Sequence, residues 1–184
     1  DASQLVLSST RKEAQGDDIS GVTGLNFGDL FFSRKNEQGK WQAVEAIEGE
    51  VNTEYDEGAS CLSPDGKTMY FTRCSSDPDY PRYAEIWQSQ RSDASWSKPT
   101  KCAISRDTLT SFAHPAVSPD GEWLYFVSDA QGGEGGLDIW RTRIFQSGFG
   151  GMENLDRPIN TAGDEMFPSF RPNGDLYFSS DGHP

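Results

Sequence analysis

The stretch SPDGEWLYFVSD, which runs from Ser118 to Asp129, holds the pattern on which the fold of this 184-residue chain depends. Two other stretches repeat it: SPDGKTMYFTR spans Ser63 to Arg73, and RPNGDLYFSSD spans Arg171 to Asp181. The prolines of the three stretches lie 55 and 53 residues apart. A fixed period of this length predicts an array of similar structural units, because chance similarity would not keep the spacing.

A second phrase keeps the same period. GDLFFSR begins at Gly28, AEIWQSQ at Ala84 and LDIWRTR at Leu137. An aromatic residue follows each phrase and also keeps the period: Trp41, Trp96 and Phe149. Several features that recur in one order at one period make the repeat a firm basis for predicting the fold.

Each repeat predicts β-structure. Segments such as 124–127 are short, aromatic and β-branched, and turn residues bound them, which is typical of strands. In the Ser-Pro-Asp-Gly element, proline presets φ, aspartate can bond its own backbone and glycine accepts a positive φ, so a tight turn is expected. We predict four antiparallel strands in each repeat. The first precedes the turn, at Ala59–Leu62, His114–Val117 and Phe167–Phe170; the Tyr-Phe segment, the acidic phrase and the segment after the aromatic residue supply the others.

Four-stranded units at a period of 50-odd residues are typical of a β-propeller, in which each sheet forms one blade. The predicted fold class is therefore all-β, with about 3.4 blades in the chain. The predicted repeat units are about 1–58, 59–113, 114–166 and an incomplete 167–184. Since known propellers close with about four or more blades, we expect a single propeller segment whose remaining blades lie outside these residues.

The three quoted stretches, extended to SPDGEWLYFVSDAQGGEGGLDIWR and PSFRPNGDLYFSSDG, resemble the WD40-like β-propeller repeat of the TolB type. The run PINTAGDEMFPSF, together with a glycine-rich loop before Asp-Ile-Trp, is similar to the variant in OmpA-family, peptidoglycan-associated envelope proteins of Bacteroidetes-type bacteria. Some of those proteins belong to the type IX secretion and gliding machinery. The resemblance implies a periplasmic or outer-membrane-associated protein with other envelope proteins as partners, and contact with peptidoglycan only through a domain outside this chain. The first unit departs from the pattern, because LVLSS at Leu5–Ser9 replaces the Tyr-Phe strand.

The charge of the chain excludes some partners. The 29 acidic and 16 basic residues give a formal net charge of −13 and a pI near 4.4. Nucleic acid requires a basic surface, so no nucleic-acid partner is expected, and anionic membrane surfaces are disfavoured for the same reason. No apolar run approaches the roughly 20 residues that span a bilayer, so no transmembrane segment is predicted.

Catalytic motifs are missing from the sequence, so we predict that the chain is not an enzyme and needs no cofactor. There is no G-x-S-x-G, no H-E-x-x-H and no glycine loop that leads into a helix. The two histidines are His114, at the start of a first strand and expected near the central channel, and His183, near the end. The three cysteines form no C-x-x-C or Cys/His cluster that would indicate zinc.

The glycine-rich loop between Asp129 and Asp138 has two interpretations. In the structural one, Asp129 caps the turn, the glycines adopt positive φ and Asp138 holds the returning chain. In the functional one, Asp129, Glu134 and Asp138 bind Ca²⁺, although the alternating acidic spacing of a dedicated calcium loop is missing. The structural interpretation is favoured, and these residues remain weak calcium candidates.

Two acidic pairs occupy equivalent places in the repeat. Asp56 corresponds to Asp164 and Glu57 to Glu165, while Ser111 and Phe112 interrupt the pattern in the middle unit. Most acidic clusters form solvated surface. If these pairs meet on one face of the propeller, however, they form a docking site for a basic partner.

A second candidate for partner binding is the loop Tyr80-Pro81-Arg82-Tyr83, which replaces the glycine loop in its repeat. A locally packed loop and a protein-contact loop are both consistent with it. Tyrosine and arginine are enriched at interface hot spots, so Tyr80, Arg82 and Tyr83 are candidate contact residues.

The predicted function is a non-catalytic protein–protein interaction scaffold, because propellers hold variable loops on a stiff frame. Two alternatives remain open. One is the gating propeller of a serine peptidase whose catalytic domain lies outside this chain. The other is a glycan-binding propeller that uses Trp87 and Trp140, although both align with Phe31 and are expected to pack between blades.

Overall fold

The computed structural model describes residues 3–11, 27–74, 84–92, 95–107 and 109–184, and every regular element in these ranges is a β-strand. In the described part of the chain, no helix is long and apolar enough to cross a bilayer. The predicted all-β class is confirmed.

The strands form four antiparallel sheets in chain order. The first sheet contains β1 (Gln4–Ser9), β2 (Asp29–Arg34) and β3 (Glu45–Ala46). The second contains β4 (Asp56–Leu62), β5 (Thr68–Cys74), β6 (Ala84–Ser92), β7 (Ser95–Trp96) and β8 (Thr100–Lys101), and β7 and β8 both pair with β6. The third contains β9 (Phe112–Val117), β10 (Trp123–Ser128), β11 (Asp138–Phe145) and β12 (Gly148–Asn154). The fourth contains β13 (Glu165–Phe170) and β14 (Leu176–Ser180).

The Pro-Asp-Gly and Pro-Asn-Gly elements form the turns between the first two strands of the last three sheets. Gly66, Gly121 and Gly174 have φ of 69°, 76° and 93°, which only glycine adopts without strain. The Ser118 hydroxyl donates to Asp120 at 2.5 Å, and the Asp120 carboxylate accepts from the Glu122 N–H at 2.9 Å, so this turn is held by its own side chains.

The sheets stack in the manner of propeller blades. The first strands of the last three sheets, β4, β9 and β13, lie side by side, which makes them the innermost strands. β1 pairs with β2 as β5 pairs with β6, so it corresponds to a second strand, and it lies next to β4. Apolar clusters fill the spaces between sheets: one contains Leu30 and Phe71 between the first and second sheets, and a larger one contains Tyr70 and Phe126 between the second and third. Apolar side chains on both faces of the middle sheets explain why the repeats carry so many aromatic residues.

The two ends of the sheets differ in what they carry. A Cβ atom at Gly121 would lie 3.6 Å from the Pro64 ring, so the turns of neighbouring sheets meet at one end, here named the turn face. The segments that connect one sheet to the next enter the innermost strands at the opposite end, here named the linker face.

The innermost strands are longer than predicted and contain an irregularity. They begin at Asp56, Phe112 and Glu165, two or three residues before the predicted starts. The pairing register shifts within each strand, at the positions where Ala59, His114 and Phe167 have φ of 27°, 52° and 55°. Positive φ is uncommon for residues other than glycine, and although histidine adopts it more readily, nothing in the side chains of alanine and phenylalanine predicts it. The equivalent bulges bend each inner strand in the same way.

Candidate functional site

An Asn-Thr-x-x-Asp-Glu segment enters the second and fourth sheets, and each copy holds two sheets together. Asn52 accepts a hydrogen bond from the Leu30 N–H at 2.8 Å and donates to the Leu30 carbonyl at 2.9 Å. Asn160 makes the same two bonds to Ile139, both at 2.9 Å. The two segments, 52–57 and 160–165, are named the clasps. Each asparagine satisfies both backbone groups of a buried residue in the preceding sheet, on β2 in one case and on β11 in the other.

The clasp glutamates are buried and hold the chain locally. Glu57 is 1% exposed and accepts hydrogen bonds from the Thr53 N–H at 3.0 Å, the Thr53 hydroxyl at 2.6 Å and Arg73 Nε at 2.7 Å. Glu165 is fully buried and accepts from Thr161 at 2.9 and 2.7 Å and from the Ser180 hydroxyl at 2.6 Å. The two carboxylates therefore accept the same pair of hydrogen bonds from a threonine, and they differ in the third donor, which is Arg73 for Glu57 and Ser180 for Glu165.

The surroundings shift the pKa values of the two clasp glutamates in opposite directions. Burial raises the pKa of Glu57 to about 7, although the hydrogen bonds from Thr53 and the charge of Arg73 lower it. Burial also acts to raise the pKa of Glu165, but the hydrogen bonds from Ser180 and Thr161 outweigh it, so this pKa lies below its ordinary value.

The docking hypothesis for the acidic pairs needs correction. Glu57 and Glu165 face inward and are satisfied within the chain, so they present no charge to a partner. Asp56 accepts from the Gly28 N–H and Asp164 from the Leu137 N–H, both at 2.8 Å. All four residues lie at the linker face, where the two aspartates bond to the preceding sheet and the two glutamates hold their own linkers.

The middle linker, which enters the third sheet, lacks a clasp. Phe112 takes the place of the glutamate, is 8% exposed and packs edge-on against Phe126 with ring centroids 5.7 Å apart. Asp107 takes the place of the asparagine and is exposed; its carboxylate accepts from the Leu109 N–H at 2.8 Å and the Thr110 hydroxyl at 2.7 Å. An apolar side chain thus replaces the polar clasp at this junction.

The glycine-rich loop packs against the second clasp. Asp138 accepts from the backbone N–H groups of Glu134 and Gly135 at 2.5 and 3.2 Å, as the structural interpretation predicted. Of the loop glycines, Gly132 alone has a positive φ, so the expectation for the others was wrong. A Cβ atom at Gly135 would lie 2.2 Å from the Gly163 carbonyl oxygen, so close backbone approach explains that glycine.

The three calcium candidates point to different partners. Asp129 accepts from the Ser111 N–H at 2.8 Å, Glu134 pairs with Arg157 Nε at 2.7 Å, and Asp138 holds the loop. Within the described ranges, no group of three or more His, Cys, Asp or Glu side chains is placed to hold a metal ion. The three carboxylates therefore bond to groups of the protein itself. Tyr80, Arg82 and Tyr83 lie outside the described residues.

Neither histidine has the geometry of a general base. The His114 ring stacks on Phe167 at 4.0 Å, and its Nδ1 lies 3.4 Å from the Phe167 N–H; burial lowers its pKa. His183 Nδ1 lies 3.0 Å from the Ser180 hydroxyl, but that hydroxyl donates to Glu165. His183 Nε2 lies 3.0 Å from the Pro158 carbonyl, and because the Ser180 hydroxyl donates its proton to Glu165, that hydroxyl does not donate to the histidine.

The two tryptophans considered for glycan binding are turned inward. Trp140 is 6% exposed and belongs to the cluster between the second and third sheets. Trp87 is half-buried, and Arg73 covers its ring at 4.4 Å. Both rings therefore pack into the apolar clusters between sheets, as their alignment with Phe31 predicted, and each also lines a cavity.

The turn face carries a set of residues that sequence reasoning missed, namely cationic side chains stacked on aromatic rings. Arg143 lies 5.4 Å and Arg141 4.2 Å from the Trp123 ring, and Arg171 lies 4.5 Å from Tyr177. In the first two sheets the pairs are Arg34–Phe32, Lys35–Trp41 and Arg91–Trp96. Trp41 and Tyr177 are 48% and 44% exposed. Sequence reasoning missed this set because the strand register, which brings the residues to one end of the sheets, is not given by the sequence alone.

Solved structures with the same architecture place the chain in a class. It is similar to a protein described as TolB from Agrobacterium tumefaciens, with 25% identity and a TM-score of 0.51 over 82% of this chain and 50% of that one. A protein of unknown function from Dyadobacter fermentans matches with 15% identity and a TM-score of 0.57, over 96% and 53%. A puromycin-hydrolyzing peptidase from Mycobacterium tuberculosis matches with 14% identity and a TM-score of 0.50, over 97% and 27%.

These likenesses, together with the sheet order, define the protein as a β-propeller with a TolB-like fold. The chain spans about half the length of the first two proteins and about a quarter of the peptidase. No protein-family model matches the sequence, and no curated protein matches it.

Proposed function

We propose that the chain is a non-catalytic propeller scaffold of the bacterial cell envelope that binds a protein partner at its turn face. The observation that carries the proposal is the set of exposed arginine–aromatic and lysine–aromatic pairs at that face. Tryptophan, tyrosine and arginine are the residues enriched at interface hot spots. The opposite end of the sheets uses its polar groups to connect the sheets, which leaves the turn face as the better surface for a partner.

The envelope location is supported by the resemblance of the repeats to those of peptidoglycan-associated OmpA-family proteins and of TolB. A periplasmic or outer-membrane-associated position, within a secretion-related assembly of the type IX kind, is the corresponding proposal. Peptidoglycan contact would require a domain outside this chain.

Photo-crosslinking in intact cells tests this proposal. A photoreactive amino acid is placed at Trp41 or Tyr177, two exposed positions on the turn face, and at Leu109 as the matched control. Leu109 is 70% exposed and lies at the linker face. We expect one envelope protein to be crosslinked from positions 41 and 177 and not from position 109. Equal crosslinking from all three positions, or crosslinks to cytoplasmic proteins alone, would contradict the proposal.

A second function, access control for a serine peptidase, is favoured by the likeness to the puromycin-hydrolyzing peptidase. In that case the native protein would carry a reactive serine. Labelling of the purified native protein by a fluorophosphonate probe would favour the peptidase, whereas an unlabelled protein that crosslinks through the turn face would favour the scaffold.

A further inference from the structure

The junction between the first and second sheets contains a cavity of about 340 Å³, whose lining includes Arg34 and Arg91 of the turn face. Its floor is apolar and includes Val6, Ile47, Leu62, Met69 and Trp96. The volume falls within the roughly 300–1,000 Å³ typical of ligand sites. A cavity of this size inside a well-packed propeller calls for a structural cause.

The next junction shows what is missing. Val6 lies opposite Phe32 in the strand pairing, as Tyr70 lies opposite Gln88 in the second sheet. The Tyr70 ring fills the space between the second and third sheets and packs edge-on against Phe149, with centroids 6.4 Å apart. Valine cannot reach the equivalent aromatic residue, Trp96, in the same way. The cavity is therefore the space that a tyrosine ring occupies one junction further along the chain.

The rim of the cavity also differs from that junction. Ile144 lies opposite Phe149 and packs into the apolar cluster, whereas its counterpart Arg91 lies opposite Trp96 and is exposed. The guanidinium groups of Arg34 and Arg91 lie 4.7 Å from the Phe32 ring and 5.9 Å from the Trp96 ring. Among the described residues, neither arginine has a carboxylate partner within 4.0 Å. Two guanidinium groups without a carboxylate partner in the described part of the chain, beside a space of the size of an aromatic ring, are complementary to an aromatic residue next to a carboxylate.

Two glutamates limit what kind of acid fits. Glu45 and Glu48 also line the cavity and are exposed, and in the described part of the chain neither forms an ion pair. They repel a uniformly acidic segment and leave room for one carboxylate on the arginine side.

We propose that this cavity anchors one aromatic side chain of a partner protein, with an adjacent acidic residue paired to Arg34 and Arg91. The aromatic ring takes the place of the absent tyrosine and packs edge-on against Trp96. The neighbouring carboxylate pairs with guanidinium groups that their own aromatic rings hold in place. This inference rests on the proposed function, since it names the chemistry of the partner at one site of the turn face.

The test is a titration of the ¹⁵N-labelled full chain with blocked tetrapeptides, followed by the indole resonance of Trp96. The probes are acetyl-Gly-Tyr-Asp-Gly-amide and its reversed order, acetyl-Gly-Asp-Tyr-Gly-amide. The comparison peptides replace tyrosine by alanine or aspartate by asparagine. We expect saturable shifts of Trp96 with at least one probe, and affinities lower by about fivefold or more for the comparison peptides.

Two variants connect the binding to the cavity. Val6→Tyr copies Tyr70 and fills the space, so it should abolish the Trp96 shifts and raise the melting temperature by several degrees. Arg91→Ile copies Ile144 and should abolish the preference for aspartate over asparagine while the protein stays folded. Unchanged binding in Val6→Tyr would overturn the inference, and so would a Trp96 resonance that no peptide moves at millimolar concentration.

The outcome separates this inference from the proposed function. Photo-crosslinking from Trp41 and Tyr177 does not depend on the cavity. If crosslinking succeeds while the peptides fail, the scaffold stands and the cavity is not an anchor site. If the peptides bind while crosslinking finds no envelope partner, the cavity is an anchor site in a protein with another role.

Discussion

The linkers that enter the second and fourth sheets contrast with the linker that enters the third. In the first two, an asparagine bonds to the preceding sheet, and a buried glutamate holds the linker against its own inner strand by hydrogen bonds. In the third, Phe112 fills the corresponding place with an aromatic ring. Hydrogen bonds thus stabilise the start of the inner strand in the second and fourth sheets, and apolar packing stabilises it in the third. The apolar solution coincides with the larger cluster between the second and third sheets, where a carboxylate would be costly.

The largest expected effect comes from forcing the clasp residue into the apolar junction. Phe112→Glu removes a buried ring and places a carboxylate against Phe126, so unfolding free energy should fall by about 5 kcal/mol. The control, Phe112→Leu, conserves most of the volume and should cost about 1 kcal/mol. Urea denaturation of both variants measures the difference. A Phe112→Glu loss no larger than that of Phe112→Leu would show that the two chemistries are interchangeable.

A smaller effect is expected from removing a clasp asparagine. Asn160→Ala leaves the N–H and carbonyl of buried Ile139 without these partners, which should cost about 2–3 kcal/mol. Asp107→Ala, at the equivalent position of the middle linker, removes only exposed hydrogen bonds and should cost clearly less than Asn160→Ala. Denaturation of the two variants under one condition gives the comparison. Equal losses of unfolding free energy would mean that the clasp asparagine stabilises its linker no more than Asp107 stabilises the middle linker.

The last comparison, and the sharpest distinction between the two clasps, concerns pH. The pKa of Glu57 is about 7 in the folded chain against an ordinary 4.5, so the folded state holds this proton more tightly than the unfolded state. Its contribution to stability is full below pH 4.5 and is lost as pH rises through 7. The lowered pKa of Glu165 has the opposite sign, so its contribution is present above the ordinary pKa and is lost in acid.

Two neutral variants test these signs. Glu57→Gln should remove a decline in stability between pH 4.5 and 7 of roughly 1–3 kcal/mol, and Glu165→Gln should flatten the acid side of the profile instead. Stability profiles of the wild type and both variants, measured by urea denaturation from below pH 4.5 to above pH 7, provide the readout. Parallel profiles for the two variants would contradict the opposite pKa shifts.

The repeat made most of the fold predictable. Turn residues and aromatic segments at a fixed period were sufficient to place the strands and predict the sheets, because both follow from local chemistry. The bulges at Ala59, His114 and Phe167 were not predictable, since alanine and phenylalanine do not favour positive φ and three different residue types share it at one position of the repeat. Inner-strand geometry is thus a tertiary property.

The role of the acidic pairs was harder to predict for a different reason. An Asp-Glu pair in a connecting segment is usually solvated, and burial becomes visible only when the strand register is known. A signal was nevertheless present, because Asn-Thr precedes both pairs at the same spacing, in 52–57 and 160–165. The cavity had a similar signal: Val6 in a position where the other repeats carry Tyr70 and Tyr125.

The clasps also bear on how such an array can grow by gene duplication. Each clasp precedes its own sheet in the chain but bonds to the sheet before it. A copied segment that began at the first residue of an inner strand would arrive without the means to attach to its neighbour. A segment copied from Asn52 or Asn160 onward would carry its attachment with it. A duplicated segment that attaches to its neighbour therefore begins one linker before the first strand of its sheet.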